Sequence, residues 1–237
     1  MCRSTDSRDK RTRVGALVET DGGTNILIDT PPELRLQLIA AGVNRVDAIL
    51  FTHDHADHVH GIDDIRALSD RNDAPIDMYG PPETMERLAR RFAYIFDDSI
   101  KALPGTSKPE GRAHPVVAGQ IIHIGDVDVI PVPVPHGSAS VYGYRIAKLG
   151  YITDAKDLPA EAVTAFRGVT VLVLNALFRT SHPTHLSISE AVAAAEKVGA
   201  RHTWLTHLTH RTGHAELEAE LPPGIAPAFD GLTVQIG

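Results

Sequence analysis

Short apolar runs bounded by turn residues recur along the chain and predict the strands of an α/β protein. The first two flank the turn Asp21-Gly22-Gly23 and are typical of a β-hairpin. The third is a short apolar run, which is the pattern of a strand buried within a sheet. The predicted strands cover 14–20, 24–30, 46–52, 75–80, 116–125, 126–136, 140–148, 150–154, 169–176 and 201–207.

Segments that favour helix lie between these strands. Two of them begin with a pair of prolines, which suits the first turn of a helix, and another begins with Ser187 and Glu190 in the spacing of a capping box. Helices are predicted at 31–43, 61–69, 81–96, 158–168 and 186–199, and a loop at 101–115. Because strands and helices alternate without a linker or an internal repeat, we expect one domain over residues 1–237, with two mixed sheets and helices outside them.

The composition is typical of a cytoplasmic protein. Cys2 is the only cysteine, so no disulfide can form within the chain, and this fits a reducing compartment. No signal-peptide pattern follows Met1, and no apolar run approaches the roughly 20 residues of a membrane span. We therefore expect a cytoplasmic protein without a membrane segment.

The charge balance argues against a nucleic-acid partner. The formal net charge is −7 and the isoelectric point is near 6.0. Affinity for DNA or RNA comes largely from Lys and Arg side chains that neutralise phosphates, so an acidic chain favours a small-molecule substrate. Histidine is the unusual residue, because 13 are present and most stand close to predicted strand ends.

The sequence ILFTHDHADHVHGI, residues 49–62, concentrates histidine and aspartate directly after a predicted strand. Such side chains are costly to bury and have no packing role in these numbers. Three later strands also end at a histidine or an aspartate. The candidate metal ligands are His53, His55, Asp57, His58, His136, Asp154 and His207. Imidazole and carboxylate groups suit zinc, manganese or iron.

The spacing of these ligands points to two metal ions. His53 and His55 are alternate residues of an extended stretch and can reach one ion. Asp57 and His58 lie past the turn into a helix and can reach a second. Seven ligands exceed what one tetrahedral or five-coordinate ion accepts, whereas two ions roughly 3.5 Å apart, bridged by a carboxylate and a hydroxide, use them all. Asp54, between the first two histidines, is expected to point the other way.

Thr52-His53-Asp54-His55-Ala56-Asp57-His58 resembles the THxHxDH motif of the metallo-β-lactamase superfamily, and the likeness extends over nearly the whole chain. It implies a four-layer αβ/βα sandwich with the metals at one edge between the two sheets. It also implies that His53, His55 and His136 bind one metal, that Asp57, His58 and His207 bind the other, and that Asp154 bridges them. The expected cofactors are two divalent ions, zinc or manganese.

Within the superfamily, HGSASVYGYRI (136–146) is similar to a segment of the tRNA 3′-processing endonucleases and their phosphodiesterase relatives. The greatest likeness is to the PhnP-like cyclic phosphodiesterases of phosphonate breakdown, which act on 5-phosphoribosyl 1,2-cyclic phosphate. The comparison with that group implies that its N-terminal strand and glycine-rich loop are absent from this sequence, so we expect either a truncated chain or a member without the group's structural zinc site. The group carries a structural zinc, for which Cys2 and His210 are the remaining candidate ligands. The resemblance also suggests a homodimer.

The expected activity is therefore metal-dependent hydrolysis of a phosphodiester in a small, cyclic sugar or nucleotide phosphate, with a hydroxide between the metals as nucleophile. The alternatives are a tRNA 3′-processing endonuclease and a lactonase-type hydrolase. A non-catalytic metal-binding module is a fourth class. No long glycine- and proline-rich insertion that would resemble a tRNA-binding arm stands out.

His185 is the expected proton donor, and Asp154 the second catalytic residue because of its bridging position. In the similar phosphodiesterases, a histidine in the loop before the last metal histidine contacts the substrate phosphate and assists the leaving group. His182 is the rival, and Pro183 between the two restricts the backbone. Asp29 ends the second predicted strand, where it could orient a ligand histidine or cap the following helix.

Overall fold

The computed structural model describes residues 3–137 and 139–237, and the chain divides into two compact units. The first unit is Arg13–Val127, and the second combines residues 1–12 with Asp128–Gly237. No helix in the described residues is both long and apolar enough to cross a bilayer.

The first unit contains a five-stranded mixed sheet in the order β1-β2-β3-β4-β5. The antiparallel pair β1 and β2 forms the predicted hairpin, and β2 to β5 run parallel to one another. The parallel strands end at the same edge, which therefore carries the loop that follows β3. The sheet's strands are β1 (Ala16–Glu19), β2 (Asn25–Ile28), β3 (Ala48–Leu50), β4 (Ile76–Gly80) and β5 (Gly111–Pro115). The short β6 (Ile122–Ile124) follows along the chain and is not part of this sheet.

Helices cover one face of this sheet and bury its apolar side chains. Leu27, Ile49 and Met78 from the strands form a core with residues such as Leu34 and Leu88 from the helices. The helices are α1 (Leu34–Ala40), α2 (Ala56–Val59), α3 (Arg66–Asn72), α4 (Pro82–Arg91) and α5 (Ala93–Phe96), and a 3₁₀ turn at Ile62–Ile65 precedes α3.

The second unit is built on a mixed sheet in the order β12-β11-β10-β9-β8-β7. The strands β7, β8 and β9 are antiparallel neighbours, and β9 to β12 are parallel. The strands are β7 (Val127–His136), β8 (Ala139–Ile146), β9 (Leu149–Ile152), β10 (Val171–Asn175), β11 (His202–Thr206) and β12 (Ile225–Pro227).

Within the described residues, the α-helices of this unit are α6 (Ala160–Phe166), α7 (Ile188–Val198) and α8 (His214–Glu220), and a 3₁₀ turn lies at Ser7–Asp9. Phe166 of α6 and Ala191 of α7 pack on Leu172 and Leu205 of the sheet. The predicted capping box at the start of α7 is present, because the Ser187 hydroxyl accepts from the N–H of residue 190 and the side chain there accepts from Ser187 N–H.

The α/β class with two mixed sheets and helices is confirmed, and the element boundaries need three corrections. The segment 101–115, predicted as a loop, contains β5, because its end pairs with all of β4 despite three prolines in the segment and little apolar periodicity. The predicted strand 116–125 is limited to β6. The predicted helix 81–96 is interrupted at Phe92, whose φ of −122° and ψ of 46° separate α4 from α5.

Candidate metal centre

The loop after β3 brings three imidazole rings together in the first unit. His53 and His58 are buried, and their ring centroids are 4.3 Å apart. His55, the residue before α2, packs edge-on against His53 with 4.5 Å between the centroids. Asp57 places Oδ2 at 3.6 Å from Nε2 of His58. The strand end and the first turn of α2 therefore gather all four ligands predicted in this segment.

Asp29 orients one of these histidines. Its Oδ2 accepts from His58 Nδ1 at 2.8 Å and from the Thr52 hydroxyl at 2.8 Å, while Oδ1 accepts from Thr52 N–H at 2.8 Å. Because a carboxylate only accepts, His58 carries its proton on Nδ1, and Nε2 is its ligand nitrogen. Burial raises the pKa of Asp29, and the bonds from His58 and Thr52 oppose that rise. Between the two roles considered for Asp29, the contacts favour orientation, because α1 begins after Glu33.

Asp54 points away from the histidines that flank it and is held by α4. Arg91 donates through Nη2 to Asp54 Oδ2 at 3.0 Å and through Nη1 to the Asp54 carbonyl at 3.1 Å. Arg87 donates to Oδ1 at 3.2 Å. These bonds fix the backbone between His53 and His55, so the helix restrains the spacing of two predicted ligands.

A second cluster forms in the second unit around the buried carboxylate of Asp154, which follows β9. Its Oδ2 lies 3.0 Å from His185 Nε2 and 3.7 Å from His136 Nε2, and its Oδ1 lies 3.5 Å from His207 Nε2. Ligand atoms of Asp154, His185 and His207 all fall within 4.8 Å of one another. Imidazole nitrogens therefore approach both carboxylate oxygens, which suits a carboxylate shared between two ions.

Two backbone features shape this cluster. His136, at the end of β7, donates from Nδ1 to the Thr184 carbonyl at 2.9 Å, which makes Nε2 its ligand nitrogen. His207 adopts a φ of 57°, a left-handed conformation that costs a non-glycine residue free energy and recurs at functional sites. Arg11 donates to the Thr209 and Thr212 carbonyls at 3.1 and 3.0 Å, so the N-terminal segment holds the loop after His207.

The residues present in each unit fit a divalent metal. The donors are imidazole nitrogens and carboxylate oxygens, which suit zinc or manganese. His58 and His136 are fixed through Nδ1 by an acceptor, which is the arrangement that orients metal-binding histidines. The donor types in both clusters are therefore those of a divalent-metal centre.

The two histidines of the loop after β10 are placed differently. His185 contacts Asp154, whereas His182 Nδ1 lies 3.2 Å from the Thr184 hydroxyl and 3.4 Å from His185 Nδ1. Burial lowers the pKa of His182. His185 is thus nearer to the predicted bridge. His210 is exposed and Cys2 lies outside the described residues, so the structural zinc remains a prediction.

Two residues that hold the site in place were not identified from the sequence. Thr184 contacts three histidines, but the only sequence hint was its place between His182 and His185. Arg11 belongs to a basic stretch that is typical of a solvated tail. No neighbouring residue in the sequence indicates that Arg11 hydrogen-bonds to a carbonyl about 200 residues away.

Comparison with known protein families relates the chain to a family of hydrolases. A family model described as "Beta-lactamase superfamily domain" matches residues 24–208. A Ribonuclease Z of Bradyrhizobium sp. (strain ORS 278) is 32% identical over 94% of each chain. An Octanoyltransferase of Porphyromonas gingivalis (strain ATCC BAA-308 / W83) is 35% identical over 98% of this chain. The chain spans only 46% of that relative's length.

Solved structures similar to this chain include two with related descriptions. One described as a new diphosphatase from the PhnP family is 38% identical, with a TM-score of 0.88 over 98% of this chain and 86% of its own. The short form of human tRNase Z is 17% identical, with a TM-score of 0.69 over 95% of this chain and 93% of its own. At that identity the second likeness concerns the fold alone.

Proposed function

We propose, given that the chain belongs to the metallo-β-lactamase superfamily and is a metal-dependent hydrolase, that it cleaves a phosphodiester bond in a small sugar or nucleotide phosphate, with a preference for cyclic substrates. The similarity to the PhnP-family diphosphatase supports this proposal, because its identity of 38% exceeds that of the human tRNase Z structure and extends over 98% of this chain. The acidic net charge of −7 also suits a small substrate better than a nucleic acid.

The observation that carries the proposal is the environment of Asp154. Both of its oxygens face imidazole nitrogens, as expected for a carboxylate that serves two ions. We propose that His53, His55 and His136 bind one ion, that Asp57, His58 and His207 bind the other, and that Asp154 bridges. Two divalent ions held by these residues would supply Lewis acidity and would activate water near neutral pH.

The chain's own contribution is orientation and proton transfer. Asp29 and the Thr184 carbonyl hold two ligand imidazoles in one tautomer. His185 places Nε2 at 3.0 Å from Asp154, beside the ligand set, where an imidazole can give a proton to a departing alkoxide. Asp154 accepts from that same nitrogen and so orients the proton that His185 holds.

tRNA 3′ processing is the second candidate, and the Ribonuclease Z relative at 32% identity favours it. Its substrate would be a structured RNA with many phosphates, which an acidic chain would bind weakly and with strong dependence on salt. The lactonase-type alternative is tested by including a lactone in the same panel.

The test is turnover by zinc- or manganese-loaded protein of bis(p-nitrophenyl) phosphate, 5-phosphoribosyl 1,2-cyclic phosphate, a 2′,3′-cyclic nucleotide, a tRNA precursor and a lactone. We expect turnover of the small diesters, with the tRNA precursor left largely intact. Efficient cleavage of the precursor at a single site would replace the proposal with the second candidate. Turnover of the lactone alone would contradict both.

A further inference from the structure

We infer that Thr184 is a positioning residue that fixes two functional histidines at once, His136 through its carbonyl and His185 through its hydroxyl. The inference rests on the proposed function for the role of His185. It concerns the second unit alone.

The contacts of Thr184 have short distances and different partners. Its carbonyl oxygen accepts from His136 Nδ1 at 2.9 Å, and its Oγ1 lies 2.8 Å from His185 Nδ1 and 3.2 Å from His182 Nδ1. The far nitrogen of His185 reaches Asp154 Oδ2 at 3.0 Å. One residue thus links a predicted metal ligand to the expected proton donor.

The loop that carries Thr184 is anchored at both ends, so this geometry is built into the fold. Leu177 N–H donates to the Leu186 carbonyl at 2.9 Å, and Leu186 N–H donates to the Ala155 carbonyl at 2.8 Å. Ile188 N–H donates to the Phe178 carbonyl at 2.9 Å. The second of these bonds joins the loop to the residue after Asp154.

Packing also restrains the Thr184 side chain. A Cβ built on Gly137 would lie 2.8 Å from Cγ2 of Thr184, and Gly137 has a φ of 61°. Glycine therefore makes room for the threonine methyl group directly after His136. With the methyl group confined there, the hydroxyl is directed to the histidines, and valine can occupy the same space without the hydroxyl.

The Asp154 carboxylate determines which groups around His185 donate and which accept. Asp154 only accepts, so His185 must carry a proton on Nε2 to bond with it. Neutral His185 then has a lone pair on Nδ1, and the Thr184 hydroxyl donates to it. The hydroxyl donates to His185 Nδ1 at 2.8 Å and not to His182 Nδ1 at 3.2 Å, because His182 Nδ1 accepts from Thr184 N–H at 3.4 Å. The hydroxyl thereby selects the tautomer that holds the His185 proton at Nε2, facing the ligand cluster.

The test compares Thr184→Val, which keeps the shape, with Thr184→Ser, which keeps the hydroxyl. Long-range ¹H–¹⁵N spectra of the zinc-loaded protein report the His185 tautomer. We expect the Nε2–H tautomer in the parent protein and in Thr184→Ser, and a mixture in Thr184→Val. Both variants should keep the parent metal content, because the backbone carbonyl remains.

Turnover gives the second readout. Thr184→Val should lower turnover about tenfold for a diester with a poor leaving group, which is the effect of losing one hydrogen bond. For a diester that releases p-nitrophenolate, the loss of turnover should be less than about twofold. Thr184→Ser should turn over the diester with a poor leaving group at the parent rate. Thr184→Ala also removes the hydroxyl and replaces the valine variant if that one does not fold.

An unchanged His185 tautomer in Thr184→Val would overturn the inference, as would equal losses with both leaving groups. If the parent protein hydrolyses no phosphodiester, the proposed function fails by itself. The ¹⁵N spectra then still decide whether Thr184 fixes the tautomer.

Discussion

At the scale of single residues, the site depends on groups that hold the predicted ligands as much as on the ligands themselves. Asp29 is fully buried and has a φ of 61°, so it occupies a strained backbone conformation while it accepts from His58. Such strain is retained where surrounding structure demands it. Orientation of His58 is the function that these contacts support.

Asp29→Asn should weaken metal binding by about 10- to 100-fold, the usual effect of losing the partner of a metal-binding histidine. The amide has one acceptor oxygen in place of two, so it cannot serve His58 and both Thr52 donors equally. Chelator-competition titration measures the change. Asp21→Asn, on the exposed turn between β1 and β2, is the control, and equal affinity in both variants would contradict the orienting role.

His185→Ala should keep the metals and lose at least about a hundredfold in turnover of a diester with a poor leaving group. The loss should be much smaller with p-nitrophenolate, which leaves without a proton. His182→Ala, from the same loop, is the matched control. A reversed pattern, with the His182 variant inactive and the His185 variant active, would mean that the proton donor was misassigned.

At the scale of elements, the start of α7 fixes the loop that carries His185. The Glu190 carboxylate accepts from Ser187 N–H at 2.7 Å and from Lys156 Nζ at 2.9 Å. These bonds lower the pKa of Glu190 to about 2, with the bond from Ser187 N–H as the largest cause. One carboxylate thus joins the helix to the residue two positions after Asp154.

Glu190→Ala should lower the free energy of unfolding by about 1 kcal/mol at neutral pH, the usual value of a helix cap, since surface screening limits the charge contribution. A depressed folded-state pKa means that the stabilisation is present above the ordinary glutamate pKa. It is lost as the pH falls toward about 2. Urea titrations at pH 7 and pH 3 test this. Glu190→Gln, which keeps an acceptor, should lose less, and a pH-independent difference between parent and alanine variant would contradict the assignment.

At the scale of the whole molecule, the predicted ligands come from loops that lie far apart in sequence. In the first unit they follow β3, and in the second they follow β7, β9 and β11. Metal that binds only the folded chain should stabilise it by mass action. We therefore expect metal removal to lower the melting temperature as well as abolish turnover.

Elemental analysis of metal-loaded protein should give about two equivalents of metal per chain. Asp154→Ala should lose affinity for both, because a bridging carboxylate serves two ions. Asp157→Ala is the matched control, since that nearby side chain accepts from Leu158 N–H at 2.8 Å. One equivalent in the parent protein, with Asp57, His58 and His207 dispensable, would refute the dinuclear proposal.

The sequence by itself determined the α/β class, the parent superfamily and the candidate ligands, because each depends on local information. Apolar runs, the Ser187–Glu190 spacing and the motif from Thr52 to His58 can be read within a few residues. Only the tertiary structure decided β5, whose strand conformation comes from pairing with β4 and not from its own composition. The same holds for Thr184, Arg11 and the orienting role of Asp29. Their hydrogen-bond partners lie far away in the sequence and become neighbours only in the folded chain. A local sequence pattern therefore cannot predict these hydrogen bonds.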